Sequence, residues 1–203
     1  MAWKPFGKKR DDLQFRWGTR LAREDLEVLG ARLDEEAAPE GAAAGEWQQA
    51  HTLYRAGRAA LRDAETVEEV LTLQDSLVQA FYHLSRSDAL AAGEDPPSRS
   101  DSCFFNPQHG PAVAEVAWAA HGSPPVSTPV CRDDATRIGS GLAPKFRQIS
   151  LGGATVAFHE VRGGAGLSVD QRKEMNLAVN GGYAQVYAQL SVLDNMGSSV
   201  SGL

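Results

Sequence analysis

The sequence predicts an α+β fold, in which an N-terminal antiparallel helix bundle or hairpin precedes a small module that contains a β-hairpin. Two observations support this prediction. Apolar residues recur every three or four positions through the first half of the chain, as in amphipathic helices. Beyond a linker with Pro96 and Pro97, glycine and proline become more frequent and the helical periodicity stops.

Three helices are predicted between residues 11 and 92. The first covers residues 11–37. The second covers residues 46–64, and its small residues at 56, 57, 59 and 60 should let a neighbouring helix approach closely. The third begins with a capping box, in which the Thr66 hydroxyl and the Glu69 carboxylate satisfy free amide groups. The predicted apolar stripes are Ala22, Leu26, Leu29 and Leu33; Trp47, Ala50, Tyr54, Gly57 and Leu61; and Val67, Val70, Leu71, Leu77, Val78, Phe81 and Leu84.

The second half is predicted to form short strands and turns. Gly152 and Gly153 separate two β-prone runs, and paired glycines tolerate the positive φ angles of a tight hairpin. The predicted elements are a strand at 113–118, an extended segment at 123–130, a short helix at 133–141, a hairpin of 146–151 with 154–161, and a helix at 168–178.

We therefore divide the chain into five segments. They are a basic flexible arm at 1–10, a helical region at 11–92, a linker at 93–101, a small Cys/His module at 102–162, and a weakly ordered C-terminal segment at 163–203.

Composition and charge exclude several classes of function. The net charge is −6 and the pI about 5.4, which argues against nucleic-acid binding because phosphates require a basic surface. Two cysteines in 203 residues are too few for a disulfide scaffold. There is no secretory signal and no run of the ~20 apolar residues that span a bilayer. A cytoplasmic location is the resulting expectation.

The densest chemical signal is the stretch CFFNPQHGP at 103–111, with TPVC ending at Cys131. Cys103, His109, Cys131 and Asp134 could supply the four tetrahedral ligands of one structural zinc. His159 is a rival fourth ligand. The competing interpretation is that no cofactor binds, because free cysteines are often small buried apolar groups.

An enzymatic interpretation uses the same residues. Cys103 could be a nucleophile and His109 its base, with Asn106 orienting the histidine. Asn106 lies only three residues before His109, however, and Pro107 stands between them, which favours a rigid turn instead. The chain has no phosphate-binding glycine loop in a strand–loop–helix context. We therefore assign no catalytic and no cofactor-binding residue.

The stretch from residue 54 to residue 160 resembles a module of actinobacterial TPM-domain membrane proteins. The resemblance rests on the Ala-rich helix pair, then CFFNPQHGP, TPVC at 128–131 and LGGATVAFHE at 151–160. In that family the module is the cytoplasmic part, and a second cysteine often stands where this chain has Asp134, a departure that weakens the zinc interpretation here. The resemblance implies a cytoplasmic adaptor near a membrane and no activity.

The expected function is that of a non-enzymatic protein-interaction or scaffold protein of the actinobacterial cytoplasm. The helical faces would bind a protein partner or a second copy. Trp3 and Phe6, among the four cations of residues 1–10, would give weak peripheral contact with an anionic membrane. The alternative is a hydrolase or transferase that uses Cys103 and His109.

Overall fold

A computed structural model describes residues 7–35, 38–98, 101–119, 124–151 and 154–157. Within these ranges the chain has the predicted α+β architecture, with three long N-terminal helices followed by short strands. The α-helices are α1 (Gly7–Glu35), α2 (Ala42–Asp63), α3 (Val67–Ala91) and α4 (Arg132–Gly139). The strands are β1 (Ala114–Trp118), β2 (Val126–Val130), β3 (Gln148–Leu151) and β4 (Ala154–Ala157), and a 3-10 turn covers Pro107–His109.

The long helices form an up-down-up bundle. The Gln74 side chain near the start of α3 donates a hydrogen bond to the Gly18 carbonyl of α1, at 3.2 Å. Towards the other end of both helices, Arg32 forms an ion pair with Asp88. These two contacts show that α1 and α3 run in the same direction.

Helix α2 runs opposite to both neighbours, and one glycine brings all three helices together. A Cβ atom at Gly57 would lie 3.2 to 3.3 Å from side-chain methyl groups of Leu26 on α1 and of Leu73 and Leu77 on α3. The expectation that small residues permit close helix approach is therefore confirmed at Gly57. Close packing of this kind is what burial of a continuous apolar core requires.

The predicted stripes form the core of the bundle. On α1, Ala22, Leu26, Leu29 and Leu33 are all buried. Trp47, Tyr54 and Leu61 of α2 are partly buried against this cluster. The capping box at the start of α3 is also confirmed, because the Thr66 hydroxyl accepts a hydrogen bond from the Glu69 amide and Glu69 reaches back to Thr66.

Two helix starts differ from the prediction. Helix α1 begins at Gly7 instead of residue 11, so that residues 7–10 of the predicted arm are helical. Helix α2 begins at Ala42 instead of residue 46. Lys, Arg and Ala are strong helix formers, and they extend both helices outward as far as Gly7 and Gly41. Gly41 immediately precedes α2, and its φ of +66° is not helical, so the helix starts after it.

In the second half, the described residues form two antiparallel strand pairs. Strands β1 and β2 pair in a register that sets Ala114 opposite Val130 and Trp118 opposite Val126. Strands β3 and β4 pair as the predicted hairpin, with Leu151 opposite Ala154. The predicted short helix is α4, which begins one residue before the expected start.

The module of residues 102–157 packs directly on the bundle. Its core joins Leu21 of α1 to the module, and the buried members are Leu21, Cys103, Phe104, Phe105, Val130, Cys131 and Ile149. A buried ion pair crosses the same boundary, with Arg147 Nη2 3.0 Å from Asp25 Oδ1. The Gln108 side chain also donates to Asp25, at 2.8 Å. Polar and apolar contacts therefore fix the orientation of the module on α1.

Several sequence-based expectations concern residues outside the described ranges. They are residues 1–6 of the arm, the Gly152–Gly153 turn, His159, the helix at 168–178 and the C-terminal segment at 163–203. Among the helices of the described part, none combines the length and the apolar character that a membrane crossing demands.

Gly110 offers a test of how the module sits on α3. Its φ is +85°, and a Cβ atom there would lie 2.2 Å from the Ser85 hydroxyl oxygen. Gly141 has a similar φ of +73° but open space around it, so it is a matched control. We expect Gly141→Ala to lower the free energy of unfolding by about 1–2 kcal/mol, the usual cost of a left-handed backbone, and Gly110→Ala to lower it further.

Urea denaturation of both variants measures this difference. Adding Ser85→Ala to Gly110→Ala should recover part of the loss, because it removes the clashing oxygen. Equal losses for the two glycine variants would contradict the contact between Gly110 and α3.

Candidate metal centre

A short loop brings Cys103 and His109 together. The Asn106 side chain accepts a hydrogen bond from the Gln108 amide, at 3.0 Å, and starts the 3-10 turn, with Pro107 at its first position. The Cys103 amide donates to the Gly110 carbonyl at 2.9 Å and closes the loop. Asn106 thus caps the backbone, as a rigid turn requires, which is the arrangement favoured by the sequence.

Cys131 and Asp134 are brought together by the start of α4. Cys131 follows β2 and is the N-cap of the helix, and its sulfur accepts a hydrogen bond from the Asp134 amide at 3.4 Å. A spacing of three residues places both side chains on the same side of the first helical turn.

The four predicted ligands converge on one point. Their ligand atoms all lie within 4.8 Å of one another. Asp134 Oδ2 lies 3.0 Å from His109 Nδ1, 3.3 Å from Cys103 Sγ and 3.4 Å from Cys131 Sγ. Cys131 Sγ lies 3.7 Å from His109 Nδ1. Residues separated by up to 31 positions in the chain therefore share a single small volume.

These separations fit a tetrahedral ion. With Zn–S bonds of about 2.3 Å and Zn–N or Zn–O bonds of about 2.0 Å, the edges of the ligand tetrahedron measure about 3.3–3.8 Å. Four of the six separations between the donor atoms run from 3.0 to 3.7 Å, and all six lie within 4.8 Å. Two thiols, an imidazole and a carboxylate are also a ligand set that binds divalent transition metals. The group can therefore hold a metal ion.

The protein shields and orients this site. Cys103 and Asp134 have no exposed surface, and Cys131 is also buried. The second carboxylate oxygen, Asp134 Oδ1, accepts a hydrogen bond from the Lys145 amide at 2.7 Å. That bond leaves Oδ2 directed at the other three ligands. Such outer contacts fix the direction of a ligand atom before a metal binds.

The two thiols differ in their acidity. A hydrogen bond from the Cys131 thiol lowers the pKa of Cys103 from 9.0 to about 6, although burial raises it. The same hydrogen bond, together with burial, raises the pKa of Cys131. Burial disfavours charge on His109, but its contacts with Cys103 and Asp134 outweigh this effect and raise its pKa. The pair of thiols therefore loses one proton easily and holds the other.

The geometry differs from that of a catalytic thiol relay. A relay uses one imidazole nitrogen for the orienting group and the other for the nucleophile. Here a single nitrogen, His109 Nδ1, faces both Asp134 and Cys131. Cys103 is fully buried, and its own amide is bound to Gly110.

No family model, no curated protein and no solved structure matches this chain.

Sequence reasoning named the four residues that the structure brings together but missed the groups that orient them. The Lys145 amide and the Asp25–Gln108 contact cannot be recognised in the sequence. A backbone donor needs no particular residue type, and a contact between distant residues produces no motif of fixed spacing. His159, the rival ligand, lies outside the described residues.

A cleft of about 390 Å³ opens beside the site. His109 and Cys131 contribute to its wall, opposite Ala89 of α3 and next to the ion pair between Arg132 and Glu94. Cys103 and Asp134 do not line it. The cleft therefore gives access to the site at His109 and Cys131.

The unequal acidity of the thiols predicts a pH titration of the metal-free, reduced protein. Thiolate absorbance in the ultraviolet should rise by one equivalent per chain, centred near pH 6, because the Cys131 thiol stabilises the Cys103 thiolate. In the unfolded chain the Cys103 thiol keeps its proton up to about pH 9. The contribution of the Cys103 thiolate to the stability of the folded state is therefore fully present above pH 9 and is lost as the pH falls through 6.

Removal of the donor should reverse the effect. In Cys131→Ala the transition should move to higher pH, and in Cys103→Ala the transition near pH 6 should disappear. A wild-type chain whose two thiols both titrate near pH 9 would contradict the hydrogen-bonded pair.

Proposed function

We propose that this protein is a non-enzymatic interaction or scaffold protein whose second half is held together by one structural zinc ion. The ligands are Cys103, His109, Cys131 and Asp134. The observation that carries the proposal is the convergence of these four side chains within 4.8 Å. Zinc fits this set best, since structural zinc sites are tetrahedral and use thiolate and imidazole ligands.

The structural role follows from where the ligands lie in the fold. Cys103 and His109 belong to the loop before β1, Cys131 follows β2, and Asp134 lies on α4. An ion at this point would tie all three pieces together. In the described part of the module the sheets are two-stranded, and such small units gain much of their stability from a bound metal.

The helical bundle is the proposed interaction surface. Gly57 packs inside the bundle, whereas Ala56 and Ala60 are exposed on α2. They are four residues apart and lie on one side of the helix. A partner helix or a second copy of this chain could approach there closely.

The resemblance to the cytoplasmic module of TPM-domain proteins supports a place near a membrane. Under this proposal the protein is cytoplasmic, and residues 1–10 with Trp3 and Phe6 touch anionic lipid weakly. Liposome co-sedimentation of the full chain against a chain that lacks residues 1–10 tests this. We expect the shorter chain to lose binding to anionic vesicles, and equal partitioning would contradict it.

The zinc proposal predicts one zinc ion per chain in protein purified without chelator. Native mass spectrometry measures metal and oligomeric state in one spectrum. We expect Cys131→Ser to lose the ion. Asp134→Asn should weaken zinc binding by at least about tenfold, because it removes a ligand charge.

Asp133→Asn is the matched control for Asp134→Asn. Asp133 is the adjacent carboxylate, but it is exposed and forms an ion pair with the Lys145 side chain at 2.8 Å. It should keep its zinc. Protein with no bound metal, or equal loss in both variants, would refute the proposed site.

The alternative of a Cys103–His109 hydrolase or transferase rests on the lowered pKa of Cys103. A catalytic thiolate must be reachable. Alkylation by iodoacetamide separates the two functions. Fast modification of Cys103 in folded protein at pH 6–7 would favour the enzyme, whereas slow modification of both cysteines favours the structural zinc site.

A further inference from the structure

We propose that the metal centre is a peroxide-sensitive switch, in which oxidation of Cys131 and Cys103 to a disulfide releases the metal. This inference rests on the proposed zinc site and concerns its regulation. Three observations carry it: the proximity of the two sulfurs, the cleft that Cys131 lines and Cys103 does not, and what remains of the ligand set once the sulfurs are lost.

The two sulfur atoms lie within 4.8 Å of each other although 28 positions separate the residues in the chain. Both are free thiols. A metal that binds both would hold the sulfurs about 3.8 Å apart, the edge of a tetrahedral dithiolate site. Rotation of the two side chains then has to close only the gap to a bonded pair, about 2.05 Å long.

The position of each sulfur relative to the cleft determines which one reacts first. Cys131 lines the cleft beside His109, whereas Cys103 is fully buried behind it. A molecule as small as hydrogen peroxide can enter a space of about 390 Å³. Cys131 is therefore the sulfur that meets the oxidant, and Cys103 is the resolving thiol.

The chemistry balances with peroxide as the oxidant. Zinc would hold both cysteines as thiolates, because a cysteine binds a metal in its deprotonated form. The Cys131 thiolate attacks one peroxide oxygen, the O–O bond breaks, and a sulfenic acid and hydroxide form. The Cys103 thiolate then attacks the Cys131 sulfur, which forms the S–S bond and expels a second hydroxide. The two hydroxides take up two protons, so two thiolates and one peroxide give one disulfide and two water molecules.

Metal release follows from the loss of two ligands. After oxidation only His109 and Asp134 remain, and two ligands do not retain zinc in competition with a chelating dye. Their own contact, 3.0 Å between Nδ1 and Oδ2, keeps the Asp134 carboxylate paired. A thiol reductant would restore both thiolates and with them the site.

The test starts from full-length protein whose zinc content has been measured. Hydrogen peroxide is added with a zinc-sensitive dye, and the protein is analysed by peptide mapping under non-reducing conditions. We expect one zinc released per chain, a loss of two hydrogens in mass, and a peptide cross-linked through Cys103 and Cys131. Dithiothreitol with added zinc should restore the original metal content.

Three variants test the order of events and the route. Cys103→Ala should accumulate a sulfenic acid at Cys131 that reacts with dimedone, whereas Cys131→Ala should leave Cys103 unlabelled. Ala89→Phe places a larger side chain in the cleft from α3 and leaves all four ligands in the chain. It should keep its zinc but release it several-fold more slowly with peroxide.

The outcomes distinguish a failure of the proposed zinc site from a failure of the proposed switch. Absence of zinc before peroxide refutes the proposed zinc site and this inference with it. Zinc that stays bound in peroxide, or that leaves with sulfinic acid and no disulfide, overturns the switch while the zinc site stands. An Ala89→Phe variant with full zinc and unchanged release kinetics overturns the proposed route through the cleft.

Discussion

The buried Asp134 carboxylate is the group on which the second half of this structure depends. One of its oxygens is held by the Lys145 amide, and the other faces two thiols and an imidazole. A buried carboxylate is costly unless positive charge or hydrogen bonds compensate it. The Lys145 amide and the His109 imidazole provide that compensation without a metal, and a divalent cation would provide it more strongly. The same arrangement that satisfies Asp134 can therefore hold a cation.

The sequence predicted the bundle well because periodicity and capping are local signals. The stripe from Ala22 to Leu33 and the capping box at Thr66 both appear as expected. The helix starts were harder, since Gly41 sets the start of α2 through its positive φ angle whereas Gly45 is accommodated inside the helix. The sequence alone does not show whether a glycine will precede a helix or lie inside it.

The ligand set was predictable as residue types but not as a geometry. Cys131 and Asp134 are one helical turn apart, a relation visible in the sequence, whereas Cys103 reaches them only because β1 and β2 pair and return the chain. The attachment of the module to the bundle was not predictable. Arg147 contacts Asp25 across more than a hundred positions, and nothing in the spacing of charges along the chain indicates that pair.

Three consecutive residues connect these parts. Gln108 donates to Asp25 on α1, His109 faces the metal ligands, and Gly110 rests against Ser85 on α3. A 3-10 turn has little freedom, so a shift of any one of these contacts moves the other two. Residues 108–110 therefore link the candidate metal site to the packing of the module on α1 and α3. A metal bound at His109 would act directly on the contacts that hold these two helices to the module.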